Sequence, residues 1–120
     1  MSTVLALGGD EVSLSSLHEI LETFGHALVP ATTPDQMLDA LRRRSFDLVL
    51  FDIEMEDRDA ELVVRDVLKL RPDALLVAVT AYPKEPQALR ALGAGAKSLM
   101  RKPYEIGRIL KILSGLGHEP

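Results

Sequence analysis

Two short segments, DLVLF at 47–51 and ALLVAV at 74–79, are apolar without the polar–apolar alternation of a strand that has one wet face. A strand of that kind must be covered on both sides. The stretches around them have helical periodicity: Leu14, Leu17, Leu21 and Phe24 recur every three or four residues with Ile20 beside them, as do Val63, Val64, Val67 and Leu68. Strands that alternate with amphipathic helices predict a parallel sheet with right-handed crossovers, sandwiched between two helical layers.

Five such units can be read along the chain. Strands are expected at 3–7, near 26–30, at 47–52, at 74–80 and at 97–101. Gly25 stops the first helix. The second helix, with Met37, Leu38 and Leu41, is introduced by Thr33 and Pro34 as cap and first-turn residue, and Arg42 to Arg44 complement its C-terminus. The third helix ends at Arg71-Pro72-Asp73, and a short fourth runs from about 85 to 92. The last, YEIGRILKIL, repeats Ile106, Ile109, Leu110 and Leu113. Pro30 cannot donate to a central ladder, and the fifth strand is short with polar flanks, so strands two and five belong at the edges. The expected architecture is a doubly wound, five-stranded parallel sheet in the order 2-1-3-4-5 with five flanking helices, the flavodoxin-like arrangement. All of 1–120 is expected to form a single domain, with 114–120 a tail or the start of a linker.

Composition narrows the function. There is no cysteine, which removes disulfides and thiolate metal sites. The net charge of −4 and the single short basic run at 42–44 give no electrostatic footprint for nucleic acid, so no direct nucleic-acid contact is expected. The N-terminal stretch MSTVLALGGDE is neither a signal peptide nor a membrane span, and no membrane partner is expected; the chain reads as cytoplasmic. The three histidines are scattered.

In sheets of this kind ligands bind beyond the carboxyl ends of the strands, near the reversal of strand order. At those ends stand Gly8-Gly9-Asp10-Glu11, Asp52, Thr80-Ala81 and Lys102-Pro103. Any one of these is an ordinary turn or cap residue. Together they bring two carboxylates, a hydroxyl and an ammonium to one rim, around a gap of phosphate size.

The motifs FDLVLFDIEM around Asp52, VTA at 79–81, ALGAGA at 91–96 and the Lys102-Pro103 pair are similar to those of the response-regulator receiver domain, the phosphoacceptor module of two-component signalling. The resemblance runs from Val4 to about Leu113. It implies that Asp52 accepts a phosphoryl group from a histidine kinase or phosphotransfer protein, and that Thr80 and Lys102 hold phosphoryl oxygens. It also implies a magnesium ion held by Asp10, Asp52 and the backbone carbonyl of Glu54, and a Lys102–Pro103 bond that is commonly cis. Output would pass through the face of the fourth helix, fifth strand and fifth helix to a downstream protein or attached effector domain. A receiver is not an enzyme in the ordinary sense; at most it phosphorylates and slowly dephosphorylates itself.

Four positions depart from the family. Gly9 stands where an acid is usual, which predicts weak magnesium binding unless Glu11 substitutes for it. Glu56 and Ala60 replace a common Pro and Gly, and Leu99 replaces the aromatic residue that usually follows the movement of Thr80. These leave a second reading, a pseudo-receiver that binds partners independently of phosphorylation. A phosphatase using Asp52 and Glu54 as paired carboxylates fits poorly, since no cap domain or substrate pocket can be read. Glu56, Asp57, Asp59 and Glu61 are expected only to favour solvent and a helix N-terminus.

Overall fold

Strand order and helix placement follow from which side chains need cover. The structure, a computed structural model, describes residues 1–8, 11–54 and 59–115. The strands β1 (Thr3–Leu7), β2 (Ala27–Ala31), β3 (Leu48–Asp52), β4 (Leu76–Thr80) and β5 (Ser98–Arg101) form one parallel sheet in the order β2-β1-β3-β4-β5. Helices α1 (Glu11–Thr23), α2 (Pro34–Arg43), α3 (Ala60–Leu70), α4 (Pro86–Ala94) and α5 (Ile106–Gly115) alternate with them.

Every residue of β3 and β4 is buried, as their continuous apolarity requires. Successive side chains point to opposite faces. Val4, Ala6, Leu48, Leu50, Val77 and Val79 pack with Leu14, Leu17 and Leu21 of α1 and Ile109 and Leu113 of α5. Leu5, Leu7, Val49, Phe51, Leu76 and Ala78 pack on the other face with residues of α2, α3 and α4. By the same alternation Asp52 belongs to the α1–α5 side and Thr80 to the α3–α4 side.

Local chemistry sets the element ends. The Thr33 hydroxyl accepts a hydrogen bond from the Gln36 amide with Pro34 in the first turn, and Asp59 caps α3 by accepting from the Glu61 amide. Arg42 and Arg43 occupy the last turn of α2, and the Arg44 guanidinium lies over the Phe46 ring at 5.0 Å. Ala60 opens α3 with its side chain in the core, so nothing there calls for glycine.

Several expectations need correction. Phe24 lies past the end of α1 and is 60 % exposed, because the turn through Gly25 carries it off the apolar stripe. Strand β4 starts at Leu76, since residues 71–74 close a turn in which the Ala74 amide donates to the Arg71 carbonyl. Helix α4 is longer than expected, continuing to Ala94. Gly9, Asp10, Glu56 and Asp57 lie outside the described residues.

The ALGAGA motif has a packing explanation. Ala88 and Ala91 are fully buried against the core, and Gly95 ends α4 at φ +130°, donating to the Ala91 and Leu92 carbonyls. A Cβ on Gly95 would run into Cδ1 of Leu68, whereas one on Gly93 would meet nothing within 4 Å. Gly95→Ala is therefore expected to destabilise the fold by about 1–3 kcal/mol. Gly93→Ala, in an exposed helical position, should be neutral or stabilise by up to about 1 kcal/mol. Urea unfolding of the two variants checks the contrast.

Candidate functional site

The carboxyl ends of β3, β4 and β5 deliver Asp52, Thr80 and Lys102 to one rim. Asp52 is the last residue of β3 and only 8 % exposed. A carboxylate that deep requires partners. Its Oδ1 accepts a hydrogen bond from the Glu54 amide at 2.9 Å, and its Oδ2 takes the Lys102 ammonium at 2.8 Å. The Lys102–Pro103 bond is cis.

The Glu54 amide bond to Asp52 closes an Asx turn, which folds residue 54 back over the strand ends. Its side chain then spans the rim. Oε1 accepts from the Lys102 ammonium at 2.8 Å, and Oε2 accepts from the Thr80 hydroxyl at 2.7 Å and the Ala81 amide at 3.0 Å. Thr80, 1 % exposed, accepts from the Tyr82 amide at 2.9 Å, which directs its own proton toward Glu54. Lys102 thus sits between two carboxylates.

The electrostatics agree with this arrangement. Partial burial pushes the Glu54 carboxyl up, but the hydrogen bonds from Lys102, Thr80 and Ala81 and the Lys102 charge outweigh it, holding the group below the ordinary 4.5. For Lys102, burial pulls down, and the hydrogen bonds and charges of Asp52 and Glu54 prevail, raising it above 10.5.

Two clefts flank the rim. One of about 280 Å³ is bordered by Gly8, Ser13, Asp52, Lys102 and Tyr104. Its side-chain oxygens, from Asp52, Ser13 and Tyr104, are of the hard kind that a divalent cation such as magnesium takes, beside the Lys102 ammonium. No three carboxylate or imidazole side chains converge among the described residues, and Asp10, one of the expected ligands, lies outside them. The other cleft, about 710 Å³, lies on the far side of Glu54 and Thr80 and is walled by Tyr82, Glu85, Gln87 and Arg90. The Gln87 amide donates to the Ile53 carbonyl, tying the start of α4 to the loop that carries Glu54.

The structure thus brings Asp52, Thr80 and Lys102 together as the sequence suggests. It does not bring Glu11 to them: that residue is exposed at the first position of α1 and borders a different groove, with His18 and Pro30. Leu99 is half-buried, packs toward the α2–α4 side, and its carbonyl accepts from Arg108 at 2.8 Å. Sequence reasoning put Glu54 beside the site but missed that its carboxylate bonds to Lys102, Thr80 and Ala81. The signal was an acid two residues after a strand-ending Asp, where an Asx turn reverses the chain.

A doubly wound sheet with a nearly buried acid, a hydroxyl and an ammonium at its carboxyl rim forms a site whose chemistry suits a phosphoryl group. The response regulator receiver domain model matches residues 4–114, and the chain belongs to that family. It is a receiver of two-component signal transduction, and a phosphorylation-independent role is not favoured.

Among relatives, the transcriptional regulatory protein ZraR of Escherichia coli O157:H7 is 28 % identical over 106 residues, covering 88 % of this chain and 24 % of that protein. The chain thus spans about a quarter of the length of such regulators. Protein CcdB of Bacillus subtilis is 28 % identical over 120 residues, covering 98 % of this chain and 100 % of CcdB. The crystal structure of a CheY-like receiver domain protein from Methanospirillum hungatei superposes with TM-score 0.85 at 28 % identity, covering 95 % of this chain and 91 % of that one. A response regulator from Burkholderia pseudomallei, solved with a phosphorylated aspartic acid, calcium ion and citrate, gives TM-score 0.83 at 25 % identity, covering 94 % and 66 %. No helix among the described residues is long and apolar enough to cross a membrane.

The Glu54 pairing has a defined pH signature. A carboxyl held low by the fold contributes stability that is fully present above its ordinary value of 4.5 and lost as pH falls through the lower folded value. In metal-free buffer, the stability of the parent relative to Glu54→Gln should therefore shrink as pH falls through and below the ordinary value of 4.5. Thermal unfolding across that range reads it, and a pH-independent difference would contradict it.

Proposed function

We propose that Asp52 is the phosphoacceptor. The observation that carries this is a nearly buried carboxylate at the end of a central strand, ion-paired at 2.8 Å with the one ammonium that reaches it among the described residues. In the reaction an Asp52 carboxylate oxygen attacks the phosphorus of a phosphohistidine on a kinase or phosphotransfer protein. A P–O bond forms, the P–N bond breaks, and the imidazole leaves with the electron pair. Lys102 and the Thr80 hydroxyl receive phosphoryl oxygens, and the Ala81 amide adds a fixed backbone donor. Phosphoryl transfer needs this positioning and charge stabilisation more than covalent help.

A magnesium ion, when bound, neutralises further phosphoryl charge; Asp10, Asp52 and the Glu54 carbonyl are the residues that would hold it. Affinity is expected to be weak, because Gly9 supplies no acid and losing one outer ligand typically costs about 10- to 100-fold. A Pseudomonas aeruginosa receiver of the same fold was solved with magnesium coordinated in its active-site cleft. Self-phosphorylation from small donors and slow self-dephosphorylation follow from the same groups. The chain acts in the cytoplasm as one receiver domain. Phosphorylation of Asp52 draws on Thr80 and changes the α4–β5–α5 face presented to a downstream protein or attached effector domain.

Beryllofluoride, a stable mimic of the acyl phosphate, tests this together with magnesium. Amide NMR shifts should appear at Asp52, Thr80 and Lys102, spread to α5, and vanish in Asp52→Asn. A response that survives in Asp52→Asn would overturn the assignment.

A further inference from the structure

The three groups expected to hold phosphoryl oxygens are all occupied in the unmodified protein, and by one carboxylate. Lys102, the Thr80 hydroxyl and the Ala81 amide each bond to Glu54, at 2.8, 2.7 and 3.0 Å. Asp52 and Thr80 stand on opposite faces of the sheet, so a group joined to Asp52 that also reaches Thr80 must cross the rim where Glu54 now lies. Lys102 touches Asp52 Oδ2 and Glu54 Oε1 at 2.8 Å each, so the two carboxylates lie within two hydrogen-bond lengths.

Building on the phosphoacceptor reading, we propose that the Glu54 carboxylate is the resident ligand of the phosphoryl subsite, an internal anion that the phosphoryl group on Asp52 must displace. Three consequences follow. Loading the site exchanges one anion for another, so Lys102, Thr80 and Ala81 contribute only the difference between their bonds to phosphoryl oxygen and to Glu54. A Glu54 that stays close adds like-charge repulsion to a dianion, so the residue selects against weakly bound small donors in favour of ones held by their own docking surface. The displaced side chain also has somewhere to go: the cleft of about 710 Å³ that Glu54 already borders, whose wall includes Arg90, now 4.0 Å from the Glu61 carboxylate.

The experiment is a beryllofluoride titration at fixed magnesium on the parent, Glu54→Gln, Glu54→Ala and Glu85→Gln. Glu85 borders the same cleft and its removal changes net charge equally, but it bonds to none of the three donors. Both Glu54 variants should bind at least about tenfold more tightly than the parent, as expected when a competing charge is removed from a shared donor set, with Glu85→Gln close to the parent. Equal affinity in the parent and Glu54→Gln, or an equal gain in Glu85→Gln, would overturn the internal-anion proposal and leave the phosphoacceptor reading standing. No binding by any of the four proteins would overturn that reading, and this proposal with it. Hydrogen exchange without ligand gives an independent readout. The Ala81 amide should exchange faster in Glu54→Ala than in the parent, and unchanged exchange would count against Glu54 as the resident ligand.

Discussion

The ion pair of Lys102 with Asp52 is the interaction on which the rest of the site depends. Covering both faces of β3 and β4 drives Asp52 to 8 % exposure, and an unpaired carboxylate at that depth would be costly. β4 ends in a neutral hydroxyl and cannot neutralise it. The cation must come from the next strand along, and β5 delivers Lys102 just past its end, where the Lys102 amide still donates to the Thr80 carbonyl at 2.9 Å. Such a pair need not add net stability, since desolvation offsets much of the attraction. What it does is hold the Asp52 carboxylate aimed at the rim, with a positive charge 2.8 Å away.

Glu54 then follows as a second occupant of the same cation. The Asx turn at Asp52 fixes the direction of the chain, and the donors at the end of β4 give the Glu54 carboxylate a complete set of partners. A site built for an anion is satisfied by one from its own chain. The arrangement also keeps the Thr80 hydroxyl engaged, donating to Glu54 at 2.7 Å.

Much of this was legible in the sequence, for identifiable reasons. The unbroken apolar runs of β3 and β4 announce burial on both faces, Pro30 marks the edge strand, and the strand ends named Asp52, Thr80 and Lys102 in advance. Those signals are local and survive folding. Phe24 misled because periodicity continues through a residue that the Gly25 turn then carries away from the core. Glu11 looked available as a substitute acid because it is close to Asp10 in sequence, yet the start of α1 turns it toward another groove. The Glu54 side chain was out of reach because its role depends on three donors from two other segments, 80–81 and 102, that only the closed sheet brings to it.

The central claim is that this rim exists to carry a phosphoryl group on Asp52, and chemical trapping tests it most directly. The protein would be incubated with magnesium and a small acyl phosphate donor in large excess, so that donor concentration offsets the repulsion by Glu54, then reduced with borohydride and mapped by mass spectrometry, since reduction converts an aspartyl phosphate to homoserine. The account predicts homoserine at position 52, and its absence from Asp52→Asn. Homoserine at another aspartate, with residue 52 unmodified, would contradict it.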